Sequence, residues 1–192
     1  MRVKKEKDID LSIKDRFDHY FLDNNIHFLS GGIEEKNIRK AVQWIVFKNG
    51  TPATSDQVLT LYVNSMGGDF YNAFALIDIM KASKIPIRTI GVGSIMSAGF
   101  LIFVSGTNGQ RYIGRNTGCM IHQFEDIVSG KHHDIKSSMR EADYCLDRMQ
   151  NILQEATSMD SRTVKSKLLS PTDVWLTSDE MVSLGLADYI LQ

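Results

Sequence analysis

The chain has 192 residues, 43% of them hydrophobic and 23% charged, with a formal net charge of −1. That length carries one domain with a full core, and the near-neutral charge argues against a nucleic-acid or other polyanionic partner. The two cysteines, Cys119 and Cys145, stand without Cys-x-x-Cys or Cys/His ligand spacing, so no metal site is expected and a reducing, cytoplasmic compartment is the simpler inference.

At the N-terminus the basic run Arg2-Val3-Lys4-Lys5-Glu6-Lys7 is not followed by an apolar h-region. No signal peptide is expected; residues 1–17 are expected as a mobile segment and 18–192 as a single domain. Ile26-His27-Phe28-Leu29-Ser30 is a short strand closed by Gly31-Gly32. Residues 34–47 carry Ile38, Ala41, Val42, Ile45 and Val46 at helical spacing, and Asn49-Gly50-Thr51-Pro52 stops them. Residues 57–63 are rich in strand formers, Asn64-Ser65-Met66-Gly67-Gly68 turns the chain, and a second helix is expected over 70–83. Residues 89–110 hold no charge, but glycines and serines break their apolar blocks. They are expected as buried strand, turn and buried helix rather than as a membrane span.

Further on come Gly109-Gln110-Arg111-Tyr112-Ile113 and a strand ending at His122. A long polar-faced helix is expected over 134–158, a short one from Ser161, an extended run over 173–177 and a last helix over 178–184, stopped by Gly185. Strands alternating with helices indicate parallel βαβ units with right-handed crossovers, an α/β fold.

Ser97 is the most informative residue, on a turn between the strand Arg88-Thr89-Ile90-Gly91-Val92 and the apolar run Phe100-Leu101-Ile102-Phe103-Val104. A serine so placed can project its hydroxyl, and the small neighbours Ala98 and Gly99 let backbone N–H groups approach a reacting carbonyl. Ile95 replaces the first glycine of a Gly-x-Ser-x-Gly elbow, so that motif is absent. His122 and Asp173 could complete a triad with Ser97, the acid holding the imidazole. By themselves, these residues are equally those of a tight turn, a strand end and a turn before a strand. His132-His133-Asp134 is read as a solvated face, because adjacent histidines point apart.

The order of these motifs resembles the Clp protease proteolytic subunit family, ClpP, from about Asp18 to Leu191. The densest block is 93–123, with Gly109-Gln110-Arg111-Tyr112, Asn116 and Met120-Ile121-His122-Gln123. The Asn64–Gly68 turn, the run Asp173-Val174-Trp175-Leu176-Thr177-Ser178 and the ending Gly185-Leu186-Ala187-Asp188-Tyr189-Ile190 also follow the family pattern. The resemblance implies a crotonase-like fold of repeated βαβ units with a protruding strand–helix handle. It implies a serine endopeptidase with Ser97 as nucleophile, His122 as general base and acid, and Asp173 fixing the imidazole tautomer. Backbone N–H groups of Gly68 and Ala98 would form the oxyanion hole. Asp69 and Phe70, with Phe124 and Glu125, would pair with an extended substrate.

The resemblance further implies homo-oligomeric heptameric rings stacked in pairs, a tetradecamer fed with unfolded polypeptide by a Clp-family AAA+ unfoldase. No cofactor, nucleic acid or membrane is implied, and the chain has no Gly-x-x-x-x-Gly-Lys loop of its own for ATP. Tyr62 and Tyr112 are expected as aromatic walls of the unfoldase docking site, or else as core residues. Met66, Ala98, Phe124, Asp126, Ile127 and Thr172 depart from the family pattern around the turn, the pocket and the handle. The competing readings are a ring subunit that does not cut, a viral-type relative trimming capsid or scaffold proteins, and an acyl-CoA enzyme of the wider fold, against which the Ser/His/Asp set counts.

Overall fold

The computed structural model describes residues 12–52, 54–125 and 127–192. The basic run 2–7, most of the expected segment 1–17 and Asp126 lie outside the described residues. Helix α1, Ile13–Asp23, runs across the domain boundary expected at 17/18. No element was expected there. Its start is a capping box, in which Ser12 Oγ accepts from the Asp15 N–H while the Asp15 carboxylate accepts from the Ser12 N–H.

The chain continues through β1 (Ile26–Ser30), α2 (Glu35–Asn49), β2 (Leu59–Ser65), α3 (Phe70–Ala82) and β3 (Ile87–Met96). Then come α4 (Ala98–Val104), β4 (Arg111–Ile113), β5 (Gly118–Ile121), α5 (His132–Thr157), α6 (Ser161–Lys167), β6 (Val174–Leu176), α7 (Ser178–Ser183) and β7 (Tyr189–Ile190). The strands form one sheet in the order β1-β2-β3-β4-β7, every neighbouring pair parallel. This is the expected α/β class.

The ten-residue β3 serves two partners in succession. Its first half pairs with β4, Thr89 opposite Arg111, and its last residues pair with β5, Ser94 opposite Gly118. A register shift between Val63 and Ser65 of β2 accompanies the change of direction. One pairing departs from the all-parallel expectation: β6 lies antiparallel on β5, with Ile121 opposite Val174. The helices between them, α5 and α6, bring the chain back from the opposite direction.

Helix α4 is buried at every position, with Phe100 and Phe103 among the largest enclosed side chains. The uncharged stretch 89–110 is thus a core strand followed by a core helix, and no helix of the described residues is long and apolar enough to cross a membrane. Helices α2 and α3 cover the sheet with Ile38, Ala41, Trp44, Ile45, Ala73, Leu76 and Ile77. Helix α5 buries Cys145, Met149, Ile152 and Leu153, all in its C-terminal half.

The strand of the expected strand–helix handle is not formed among the described residues of 122–131, while its helix, α5, is. A strand needs a partner strand, and no strand pairs with this segment among the described residues. At the other end, Arg111 closes the C-terminus onto the sheet. Its guanidinium makes two bonds to the Asp188 carboxylate, at 3.0 and 2.6 Å, and a third to the Ala156 carbonyl at 2.9 Å. Burial raises the Asp188 pKa, but these bonds and the Arg111 charge outweigh it and leave the carboxyl below its ordinary value.

Candidate active site

The site is assembled where β2, β3 and β5 all end. Ser97 follows β3 directly and caps α4 with φ 52° and ψ −123°, in a region that costs a non-glycine residue about 1–3 kcal/mol. Its N–H donates to the Met120 carbonyl at 2.9 Å, and its own carbonyl accepts from the N–H of Phe100 at 3.0 Å. These bonds pin the backbone, so the Oγ is set by the sheet rather than by its own preference.

His122 leaves β5 one residue after Ile121, and its Nε2 lies 2.9 Å from Ser97 Oγ. Its Nδ1 lies 2.5 Å from the Gln123 carbonyl oxygen. A carbonyl only accepts, so Nδ1 carries the proton and the bare Nε2 accepts from the Ser97 hydroxyl. That is the tautomer a general base requires. Gln123 is itself tied to the body by its side-chain amide, which donates to the Leu169 carbonyl at 2.8 Å.

Asp173 is placed differently from its expected role. The pairing of Ile121 with Val174 brings it level with His122 at the outer end of β6. It is nonetheless exposed and makes no hydrogen bond to the imidazole. The Gln123 carbonyl occupies the position that the triad assigns to a carboxylate.

The turn before α3 supplies the donors. Gly67 has φ +105°, and a Cβ there would stand 2.8 Å from Ser97 Cβ. Gly68 has φ +147°, and a Cβ would stand 2.6 Å from the Ile33 carbonyl oxygen. Glycine is therefore required twice, once for room beside Ser97 and once for room beside Ile33. Ile33, which sequence inspection did not single out, fixes this turn. Its N–H donates to the Gly67 carbonyl and its carbonyl accepts from the Asp69 N–H, each at 2.9 Å. The N–H groups of Gly68 and Ala98 have no hydrogen-bond partner among the described residues, as donors held for a ligand oxygen would.

A cleft of about 400 Å³ opens over Ser97 and His122, lined by Gly68, Asp69, Phe70, Tyr71, Phe124, Glu125 and Glu141. All four residues expected to contact substrate, Asp69, Phe70, Phe124 and Glu125, lie on it. The Phe70 and Phe124 rings meet with centroids 5.2 Å apart. Tyr71 and Glu141 are additions that the sequence did not signal, since only the packing of α5 across α3 brings residue 141 to this cleft. Among the described residues no group of His, Cys, Asp and Glu side chains is arranged to hold a metal.

The family model described as Clp protease matches residues 11–192. The ATP-dependent Clp protease proteolytic subunit 1 of Prochlorococcus marinus (strain MIT 9312) is 29% identical over 177 residues, covering 91% of this chain and 89% of that protein. The ATP-dependent Clp protease proteolytic subunit 2 of Pseudomonas aeruginosa PAO1 is 29% identical over 164 residues, covering 85% of this chain and 79% of the relative. With a family match over nearly the full length, on a mostly parallel α/β fold whose β2, β3 and β5 converge on one serine–histidine pair, the chain belongs to the Clp protease family.

Proposed function

We propose that this protein is a serine endopeptidase subunit that hydrolyses unfolded polypeptides inside a ring-shaped chamber. The observation that carries the proposal is the 2.9 Å contact of His122 Nε2 with Ser97 Oγ, with the Nδ1 proton held by a carbonyl. Ser97 Oγ attacks the scissile carbonyl carbon as its proton passes to His122 Nε2. The N–H groups of Gly68 and Ala98 take the developing oxyanion. His122 returns the proton to the leaving amine, and water then releases the acyl group from Ser97 by the same route in reverse. The residues after Gly68 and after Gln123 flank the cleft on both sides, where an extended peptide adds its backbone bonds.

Assembly accounts for what the single chain leaves open. The N-terminal half of α5 and the segment before it carry exposed Ile127, Val128, Ile135 and Met139, and no residue of α5 before Cys145 is buried. In stacked heptameric rings this handle meets the facing ring, and pairing there gives 122–131 the neighbour that a strand requires. The same ordering carries His122 and Asp173 into contact. On another face Tyr62 stacks on Phe28 at 4.8 Å and Tyr112 on Tyr189 at 5.1 Å. Phe28 and Tyr189 are about half exposed, and neither Tyr62 nor Tyr112 is buried in the core. This aromatic face is the docking site for the apolar loop of an AAA+ unfoldase, which consumes the ATP.

A ring subunit that does not cut is the second reading, favoured by the separation of Asp173 from the imidazole. One experiment decides between them. A serine-directed fluorophosphonate should label the assembled protein at Ser97, with the label lost in Ser97→Ala and light scattering unchanged. Failure of the wild-type assembly to label favours the structural subunit.

A further inference from the structure

We propose that the cleft beside Ser97 selects a lysine or arginine side chain next to the scissile bond, with Glu141 as the counter-charge and Tyr71 as the residue that positions it. The inference rests on the reading of Ser97 as nucleophile and adds the substrate class.

The cleft combines two features that a long basic side chain uses together. Its walls include the rings of Phe70, Tyr71 and Phe124, and its charged lining residues are Asp69, Glu125 and Glu141, without a lysine or arginine. A methylene stem lies well on aromatic faces while its cation seeks a carboxylate. The three carboxylates differ in availability. Asp69 is engaged as the cap of α3, accepting from the Asn72 N–H at 2.7 Å. Glu125 stands on the exposed segment after His122.

Glu141 is held in place. Its Oε1 accepts from the Tyr71 hydroxyl at 2.8 Å, and its other oxygen has no partner among the described residues. The bond to Glu141, together with burial, pushes the Tyr71 pKa up to about 12, so the hydroxyl remains a donor throughout the neutral range. Three basic groups on the same two helices are engaged elsewhere. Lys81 pairs with Glu155, Arg148 lies over the rings of Phe74 and Tyr144, and Arg140 donates to the Tyr144 hydroxyl at 3.0 Å. Among the described residues no lysine or arginine is paired with Glu141, and a substrate cation finds its second oxygen open.

The test is a fluorogenic peptide series of one sequence, with lysine, arginine, norleucine or glutamate on the acyl side of the scissile bond, hydrolysed by the assembled full-length protein. The readout is the ratio of kcat/KM values. An exposed ion pair together with a cation–ring contact predicts a lysine-to-norleucine ratio of about ten. Added salt should lower it, Glu141→Gln should cut it about threefold, and Glu141→Lys should turn the preference toward glutamate. Tyr71→Phe, which keeps the ring and removes the hydroxyl, should lower the ratio less than Glu141→Gln. A ratio of one or below in the wild type, or a ratio that neither Glu141 variant changes, overturns the proposal.

The same four side chains on peptidyl diphenyl phosphonates, with the adduct mapped by mass, repeat the comparison without turnover. Faster labelling by the lysine probe supports the proposal, and faster labelling by the norleucine probe or no labelling by any probe overturns it. Labelling or hydrolysis that survives Ser97→Ala is instead the failure of the nucleophile assignment, and it is read independently of the ratio.

Discussion

The two sides of the cleft are built to different standards. On the sheet side, Ser97 is locked by bonds to Met120 and Phe100, Gly67 packs against its Cβ, and Ile33 clamps the turn beyond. On the outer side, Asp173 is exposed and the chain after His122 runs without a strand into a helix that buries nothing before Cys145. The Ser97–His122 contact is thus a product of the subunit's own core. On the proposed function, the carboxylate that would orient the imidazole and the strand that would border the substrate are left to contacts beyond one chain. On the proposed function, such a division would couple cutting to assembly, because a lone subunit brings Ser97 and His122 together but leaves Asp173 apart from them.

The largest expected effect tests the sheet side. Ser97→Ala should lower peptide hydrolysis by about 10⁴- to 10⁶-fold while thermal unfolding and assembly stay as in the wild type. Adding His122→Ala to it should cost little more, since the two act as a unit. Hydrolysis that persists in Ser97→Ala would remove the basis of the comparison.

Asp173→Asn sharpens the contrast. It should cost about 10²- to 10⁴-fold in the assembled particle, while labelling of dissociated subunits by a fluorophosphonate should be almost unaffected. An equal loss in both states would mean that Asp173 already serves the single chain.

The firmness of the body can be read in stability. Removing one partner of a buried ion pair leaves the other charge uncompensated, so Asp188→Asn should destabilise the fold by about 3 kcal/mol in urea unfolding at neutral pH. Because the folded-state pKa of Asp188 is depressed, the wild-type stabilisation is present above the ordinary carboxylate value near 3.8. It is lost as pH falls through the lower folded value, and Asp188→Asn should abolish that loss.

His27 on β1 gives a smaller, separate window. Burial, with the Lys40 charge, depresses its pKa from 6.5 to about 4, and its ring stacks on Trp44 with centroids 5.3 Å apart. The unfolded chain then takes up a proton that the folded one refuses, so stability should fall by about 2–3 kcal/mol between pH 6.5 and 4. His27→Phe should flatten that interval, as followed by urea midpoints across pH.

The smallest effect concerns the aromatic face. Tyr62→Ala should weaken unfoldase-stimulated protein degradation by about tenfold through the lost apolar contact, and short-peptide hydrolysis much less. Equal loss of both activities, with a lowered unfolding temperature, would place the ring in support of the fold instead.

Much of this could be foreseen from the chain. The period of Ile38, Ala41 and Ile45 marks α2, and the alternation of Leu59, Leu61 and Val63 marks β2, because one face of each must leave water. Ser97 with its small neighbours Ala98 and Gly99 already suggests a nucleophile beside a backbone donor, and His122 a base for it, while Gly68 enters as a donor only through the resemblance to the Clp protease family. Helix α1 carries its own signal, a Ser12 cap ahead of Ile13, Phe17 and Tyr20, but its face stays exposed on this subunit, so the segment is easily taken for a tail.

What the sequence by itself determined is the local grammar: which segments are helix or strand, where glycine must stand, and which hydroxyl and imidazole are candidates for chemistry. Only the tertiary structure decided which of them meet. The antiparallel return of β6 brought Asp173 level with His122 without joining them, and the Gln123 carbonyl accepts the hydrogen bond of the imidazole Nδ1–H instead. The packing of α5 alongside α3 carried Glu141, some seventy positions along the chain, to the hydroxyl of Tyr71. Such contacts depend on how elements pack and on what covers them, and neither the period nor the spacing of residues encodes that.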